Sequence, residues 1–238
     1  MKSAKLSLVA LIAAAGIVIP AIAMSTDPDP KPTTATTPAP TQKDQNHKDP
    51  KDKDAKKTEA VAKVGSLAPP FTLTDTDGKT VNLSDYAGKV VVIQWFNPGC
   101  PFVKKHYENG ANTFNKLNKD YSEKGVIFLA INSGAAGKEG AGKEANASAK
   151  KDWKIEYSIL IDETGKVGKL YGAKHTPEMF IVNKDGTIAY HGAIDDDSGM
   201  KGPGKTNYVA KALDEILAGK KVSTSETKPY GCTVKYGS

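Results

Sequence analysis

The chain has 238 residues, a formal net charge of +6 and two cysteines. That length suits one ordinary globular domain with appendages, not two large domains. It contains no arginine, so all 33 basic residues are lysines and any mechanism that needs a guanidinium is excluded.

The first 23 residues, MKSAKLSLVALIAAAGIVIPAIA, carry Lys2 and Lys5, an apolar run from Leu6 broken at Pro20, and the small-residue cleavage pattern Ala21-Ile22-Ala23. This predicts a secretory signal cleaved before Met24 and places the protein in the periplasm or outside the cell. An uncleaved membrane anchor is the alternative and would be the only membrane association. Residues 24–60 are Pro/Thr-rich and then Lys/Asp-rich. They have almost no large apolar side chains to offset the entropy of ordering, and read as a disordered linker. Seven lysines balance seven acids there, so the segment is a solvated tether and not a nucleic-acid arm. Residues 61–238 form the domain, where 24 lysines against 20 acids name no partner.

Within the domain, FTLTDTDGKTVNL predicts a β-hairpin turning at Asp77-Gly78. The run KVVVIQWF (89–96) has the continuous apolar pattern of a strand buried on both faces. From Pro101, the positions Val103, Tyr107, Ala111, Phe114, Leu117 and Tyr121 recur at helical spacing, with Asn109-Gly110 weakening the middle. The strand GVIFLAINS (125–133) then completes a parallel strand-helix-strand crossover. A Gly/Ala/Lys-rich loop, a helix to about Trp153, the strand YSILID, the short helix GKVGKLYG and the hairpin EMFIVNKDGTIAYHG follow. A final amphipathic helix, YVAKALDEILAG (208–219), precedes a tail that contains Cys232.

Cys100 falls at a strand-to-helix junction, after the turn Pro98-Gly99 and before Pro101 at the first helical position. Free N–H groups at a helix start, with Lys104 and Lys105 in the first turn, favour the thiolate, the nucleophilic form. A buried inert cysteine is the alternative.

The hairpin DTDGKTVNLSDYAGK, the strand before C-P-F-V, the strand end INS, the segment TPEMFIVNKDGTIAYHG and the terminal GCTVKY together resemble the redoxin group of the thioredoxin-fold superfamily. More narrowly, the chain is similar to peroxiredoxin-like thioredoxin family proteins with a C-P-[YF]-V-K active site. The resemblance covers most of 64–236. It implies an α/β thioredoxin fold, a central mixed sheet flanked by helices, here with an N-terminal hairpin and an extended C-terminal tail. It also implies Cys100 as attacking thiol and a cis-proline loop at Thr176-Pro177. Pro98, Phe102, Thr176 and Pro177 would then contact an extended substrate.

The chain departs from its better-known relatives in three places. Val103 stands where classical thioredoxins carry the resolving cysteine, and Gln94 stands where they carry a buried acid. Ile93 and Asn97 replace the Pro and Thr of the peroxiredoxin loop, and the peroxiredoxin arginine has no counterpart, which removes the electrostatic clamp for peroxide. Cys232 is therefore the expected resolving partner, reachable because a 13-residue tail spans about 43 Å when extended. A static structural bridge and two independent thiols remain open as alternatives.

These residues predict an exported thiol-disulfide oxidoreductase. Its substrates would be exported proteins or small-molecule thiols and disulfides, and it would need an external electron donor but no cofactor or metal. A thiol peroxidase and a redox-inactive peptide-binding module are the alternatives. The segment GKEGAGKE (137–144) fits a phosphate-loop spacing, but Glu144 replaces the required Ser/Thr, so a flexible loop is expected. His106, His175 and His191 lack an acidic or histidine partner at helical or hairpin spacing and are not expected to bind metal. The run DDDS (195–198) reads as solvated charge.

Overall fold

The computed structural model describes residues 61–237. The leader read over 1–23 and the linker read over 24–60 lie outside them. A seven-stranded sheet is built from β1 (Thr72–Asp75), β2 (Thr80–Asn82), β3 (Val91–Trp95), β4 (Ile127–Asn132), β5 (Ser158–Ile161), β7 (Glu178–Val182) and β8 (Ile188–Gly192), in the order β2-β1-β5-β4-β3-β7-β8. The β3/β4 and β4/β5 pairs are parallel and the rest antiparallel. A second, two-stranded sheet pairs β6 (His175–Thr176) with β9 (Cys232–Thr233).

The first hairpin forms where Asp77-Gly78 predicts it. Asp75 Oδ1 accepts the N–H groups of Asp77 and Lys79, both at 2.9 Å, and Gly78 takes a φ of 88°. All five residues of β3 are buried. Val92 faces one side of the sheet and Val91, Ile93 and Trp95 the other, each contributing about 1.5–3 kcal/mol of burial. Helices α1 (Pro101–Lys104), α2 (Thr113–Ser122), α3 (Lys143–Asp152) and α5 (Tyr208–Leu217) contribute to the first face, and α4 (Lys166–Tyr171) covers the second.

The structure corrects the single helix expected from Pro101 to Tyr121. The chain breaks at Asn109 (φ 55°), Gly110 (φ 80°) and Asn112 (φ 47°), left-handed conformations that no helix can contain. Val103, Tyr107, Phe114, Leu117 and Tyr121 are nevertheless all buried. The apolar spacing thus reports a common buried face and not helical continuity.

The C-terminal tail is also not peripheral. Val222 belongs to the core, Thr227 Oγ1 meets the Tyr190 hydroxyl at 2.6 Å, and the Tyr236 hydroxyl donates to the Ala173 carbonyl at 2.7 Å. The tail is thereby strapped along β8 and then beside β6.

Candidate active site around Cys100 and Cys232

The turn after β3 is stiffened from below. Asn97 Oδ1 accepts the Gly99 N–H at 2.8 Å while its Nδ2 donates to the Glu139 carbonyl at 3.0 Å. The segment read as a flexible loop is therefore fixed. Asn132 donates to the Gly140 carbonyl at 2.8 Å and Asn146 to the Gly142 carbonyl at 2.6 Å, and both side chains are buried. The fit is close enough that a Cβ on Gly140 would lie 2.0 Å from Asn97 Oδ1.

Cys100 caps α1 and is 3% exposed. The helix it caps is a single turn, so the extended macrodipole expected behind the sulfur is absent. Its Sγ lies 3.0 Å from the Thr176 carbonyl oxygen and 2.6 Å from Cys232 Sγ. The Thr176-Pro177 bond is cis, as the resemblance implied. Cys232 is held by strand pairing, with Thr176 opposite Cys232 and the Val234 N–H donating to the Lys174 carbonyl at 3.0 Å. Between Tyr230 and Cys232, Gly231 (φ 123°) lies so close to Thr176 that a Cβ would fall 2.1 Å from the Thr176 carbonyl oxygen. Burial, then the hydrogen bond with Cys100 and its charge, push the Cys232 thiol up to about 12 against the pull of Lys235 and the Phe102 N–H. Val103, in the place of a short-range resolving cysteine, is fully buried.

The Redoxin family model matches residues 63–208. This chain belongs to the redoxin family. Its relatives are redox enzymes. The thiol-disulfide oxidoreductase ResA of Bacillus thuringiensis subsp. konkukian is 29% identical over 133 residues, 55% of this chain and 69% of the relative. The chloroplastic peroxiredoxin Q of Suaeda salsa is 30% identical over 145 residues, 56% of this chain and 61% of the relative. Among solved structures, an uncharacterized conserved protein from Geobacillus kaustophilus superposes with a TM-score of 0.67 at 34% identity, over 74% of this chain and 94% of that one. The thioredoxin fold is the architecture of this redoxin.

The redoxin places its other expected site residues unevenly. Thr176 and Pro177 are buried beside Cys100. Pro98 is half-buried at the turn, and the half-buried Phe102 ring lies 6.2 Å from the ring of Tyr230 on the tail. Lys105 does not serve the sulfur. It is 4% exposed, and its Nζ donates to the carbonyls of Asp197 (2.5 Å) and Gly199 (2.8 Å) while lying 4.5 Å from the Tyr230 ring centroid. Burial pushes its pKa down, opposed by Asp195 and Asp197.

Asp195, read as solvated charge, is 2% exposed. It accepts the Tyr230 hydroxyl at 2.5 Å and the Gly204 N–H at 2.6 Å. His106 is fully buried, with Nε2 3.1 Å from the Tyr230 oxygen and Nδ1 3.3 Å from Thr113 Oγ1. Burial pushes its pKa down to about 4, with Asp195 and Asp197 opposing and Lys105 assisting, so the ring is neutral at pH 7.

Two histidines expected to lack acidic partners share one. His191 Nε2 lies 2.7 Å from Glu178 Oε1, and His175 Nδ1 lies 3.6 Å from Glu178 Oε2. Glu178 follows Pro177, and its Oε2 accepts the N–H groups of Lys174 and His175, fixing the cis-proline loop. Burial raises its pKa, but the His191 hydrogen bond and these two N–H groups outweigh it and hold the carboxyl below its ordinary value. Among the described residues no group of three or more His, Cys, Asp or Glu could hold a metal ion.

Gln94, in the place of the buried acid, is 2% exposed. Its Oε1 accepts the Tyr107 and Tyr157 hydroxyls at 3.0 and 3.3 Å, and its Nε2 has no partner among the described residues. The roles of Asp195, His106 and Tyr230 are not visible in the sequence, because Tyr230 lies 124 residues from His106 and 35 from Asp195.

Proposed function

We propose that this redoxin is a thiol-disulfide oxidoreductase in which Cys100 attacks and Cys232 resolves. The observation that carries the reading is the 2.6 Å approach of two sulfurs 132 residues apart, in a chain whose short-range resolving position is a buried valine. The Cys100 thiolate attacks one sulfur of a substrate disulfide, forming a mixed disulfide and expelling the other substrate sulfur as a thiolate. Conversion of Cys100 to a disulfide removes both its negative charge and its hydrogen bond, two of the influences that hold the Cys232 thiol up near 12. Cys232 then loses its proton to solvent and attacks Cys100 Sγ. The second substrate thiolate departs and the Cys100–Cys232 disulfide remains. An external dithiol returns two electrons and two protons to restart the cycle.

The leader expected over residues 1–23 supports action outside the cytoplasm on exported proteins or small disulfides. Peroxidase chemistry is the weaker reading despite the peroxiredoxin relative. Asn97, at the threonine position of the peroxide loop, has both side-chain groups engaged in holding the Glu139 segment, and the chain has no arginine.

Cys232→Ser tests the reading. Mixed with a disulfide substrate, the reduced variant should stop at a stable mixed disulfide on Cys100 and lose multiple turnover. Full multiple turnover in the variant would remove Cys232 from the mechanism. Absence of any adduct on Cys100 would remove the activity.

A further inference from the structure

We infer that Tyr230 is a positioning residue for the resolving step, a latch that holds Cys232 on Cys100 by fastening the tail to the segment that carries the nucleophile. This rests on the reading above that the two thiols exchange. The tail residue two positions before Cys232 meets four groups, three of them within six residues of Cys100. Its ring faces Phe102 at 6.2 Å and the Lys105 ammonium at 4.5 Å, and its hydroxyl meets His106 at 3.1 Å and Asp195 at 2.5 Å.

The hydrogen-bond directions follow from chemistry. A carboxylate can only accept, so Tyr230 donates to Asp195 and its oxygen accepts from His106 Nε2–H. Nδ1 is then the lone-pair nitrogen and accepts from Thr113 Oγ1. The neutral His106 required here is the state that its burial favours at pH 7. Asp195 is held in turn by the N–H groups of Gly204 and Asp197. The chain of donors runs from α2 through the turn after α1 into the 195–204 loop, with Tyr230 linking the tail to it. Beyond it, the close contact of Gly231 with Thr176 leaves the following residue little freedom, so fixing Tyr230 fixes Cys232.

The quantity a latch controls is the effective concentration of Cys232 at Cys100, measured as the equilibrium constant for closing the pair's disulfide in glutathione redox buffers. Tyr230→Phe keeps the ring and removes the bonds to Asp195 and His106. Loss of a hydrogen bond to a buried charged acceptor corresponds to a drop of roughly tenfold to a hundredfold. Asp195→Asn, which keeps an acceptor oxygen but loses the charge, should move the constant the same way and less far. Tyr121→Phe removes hydroxyl bonds to the Ala210 carbonyl and Asp214 on α5 and serves as the comparison, with a constant at the wild-type value. A Tyr230→Phe constant within twofold of wild type overturns the latch, as does an equal drop in Tyr121→Phe, which would mark general loosening. If Tyr230→Phe does not fold, Asp195→Asn decides on the same criterion. A wild-type pair that closes in no glutathione buffer sinks the oxidoreductase reading itself, whereas a pair that closes normally without the hydroxyl sinks only the latch.

Discussion

Gly231→Ala should uncouple the tail from Cys100 while leaving the sheet intact. The added Cβ would stand 2.1 Å from the Thr176 carbonyl oxygen and 2.8 Å from its carbon, against a working limit of 3.0 Å. The obstacle is backbone fixed by Glu178, so the tail must retreat, by about 0.9 Å along the oxygen contact. That displacement stretches the 3.0 Å bond between the Val234 N–H and the Lys174 carbonyl past useful length. A φ of 123° is itself unfavourable for alanine and adds roughly 1–3 kcal/mol, with about 1 kcal/mol more for the lost bond. Together these correspond to a shift of roughly 30-fold to several hundredfold in the docking equilibrium. Titration of the Cys100–Cys232 pair against graded glutathione buffers reads this directly, and alkylation of Cys232 in the reduced protein should accelerate in step. A variant with wild-type values in both assays would refute the claim that the tail is seated by its contact with Thr176.

Three further outcomes follow from the buried polar groups. His106 has a folded pKa of about 4 against an ordinary 6.5, so the unfolded chain binds a proton that the folded one refuses. Stability should fall by on the order of 3 kcal/mol as pH drops from 6.5 to 4, and His106→Gln should flatten urea-derived stability across that window. Glu178 has a folded pKa below its ordinary 4.5. Its contribution is complete above that value and is lost as pH falls through the lower folded value, so Glu178→Gln should weaken the protein at pH 7 and lessen its loss of stability on acidification below pH 4.5. Gly140→Ala places a Cβ 2.0 Å from Asn97 Oδ1 at a φ of 68°, and should lower the thermal midpoint by about 4–8 °C, the equivalent of roughly 2 kcal/mol. An unchanged midpoint would mean that the 137–142 segment is slack.

The parts of the fold readable from sequence were those set by local composition. Val90–Ile93 and Ile127–Ile131 carry their burial in unbroken apolar runs, and Asp77-Gly78 and Asp185-Gly186 carry their turns in residue chemistry. The break in the 101–122 segment was only half visible, because Asn109 and Asn112 adopt left-handed conformations that their type permits without requiring. At the candidate site, Cys100 and the Thr176-Pro177 loop are marked by the family resemblance, and Cys232 by scarcity of sulfur. The roles of Lys105, His106 and Asp195 are hidden in the sequence for one reason. A lysine or aspartate in solvent and one buried against a partner 90 residues away have the same local sequence, and only the fold distinguishes them. The tail's strand was missed because two residues carry no periodicity.

The chain's two tryptophans lie on opposite sides of the sheet. Trp95 is fully buried among Tyr171 and Phe180 and donates to Ser133 Oγ at 3.1 Å. Trp153 stacks on Tyr107 at 4.8 Å with a 10° interplanar angle, in the layer that contains Cys100. The molecule thus carries one indole per layer. With Trp95 replaced by phenylalanine, tryptophan emission would follow the layer behind the thiols alone. With Trp153 replaced, it would follow the opposite layer, and stopped-flow mixing could time the two layers of one sheet against each other without any attached dye.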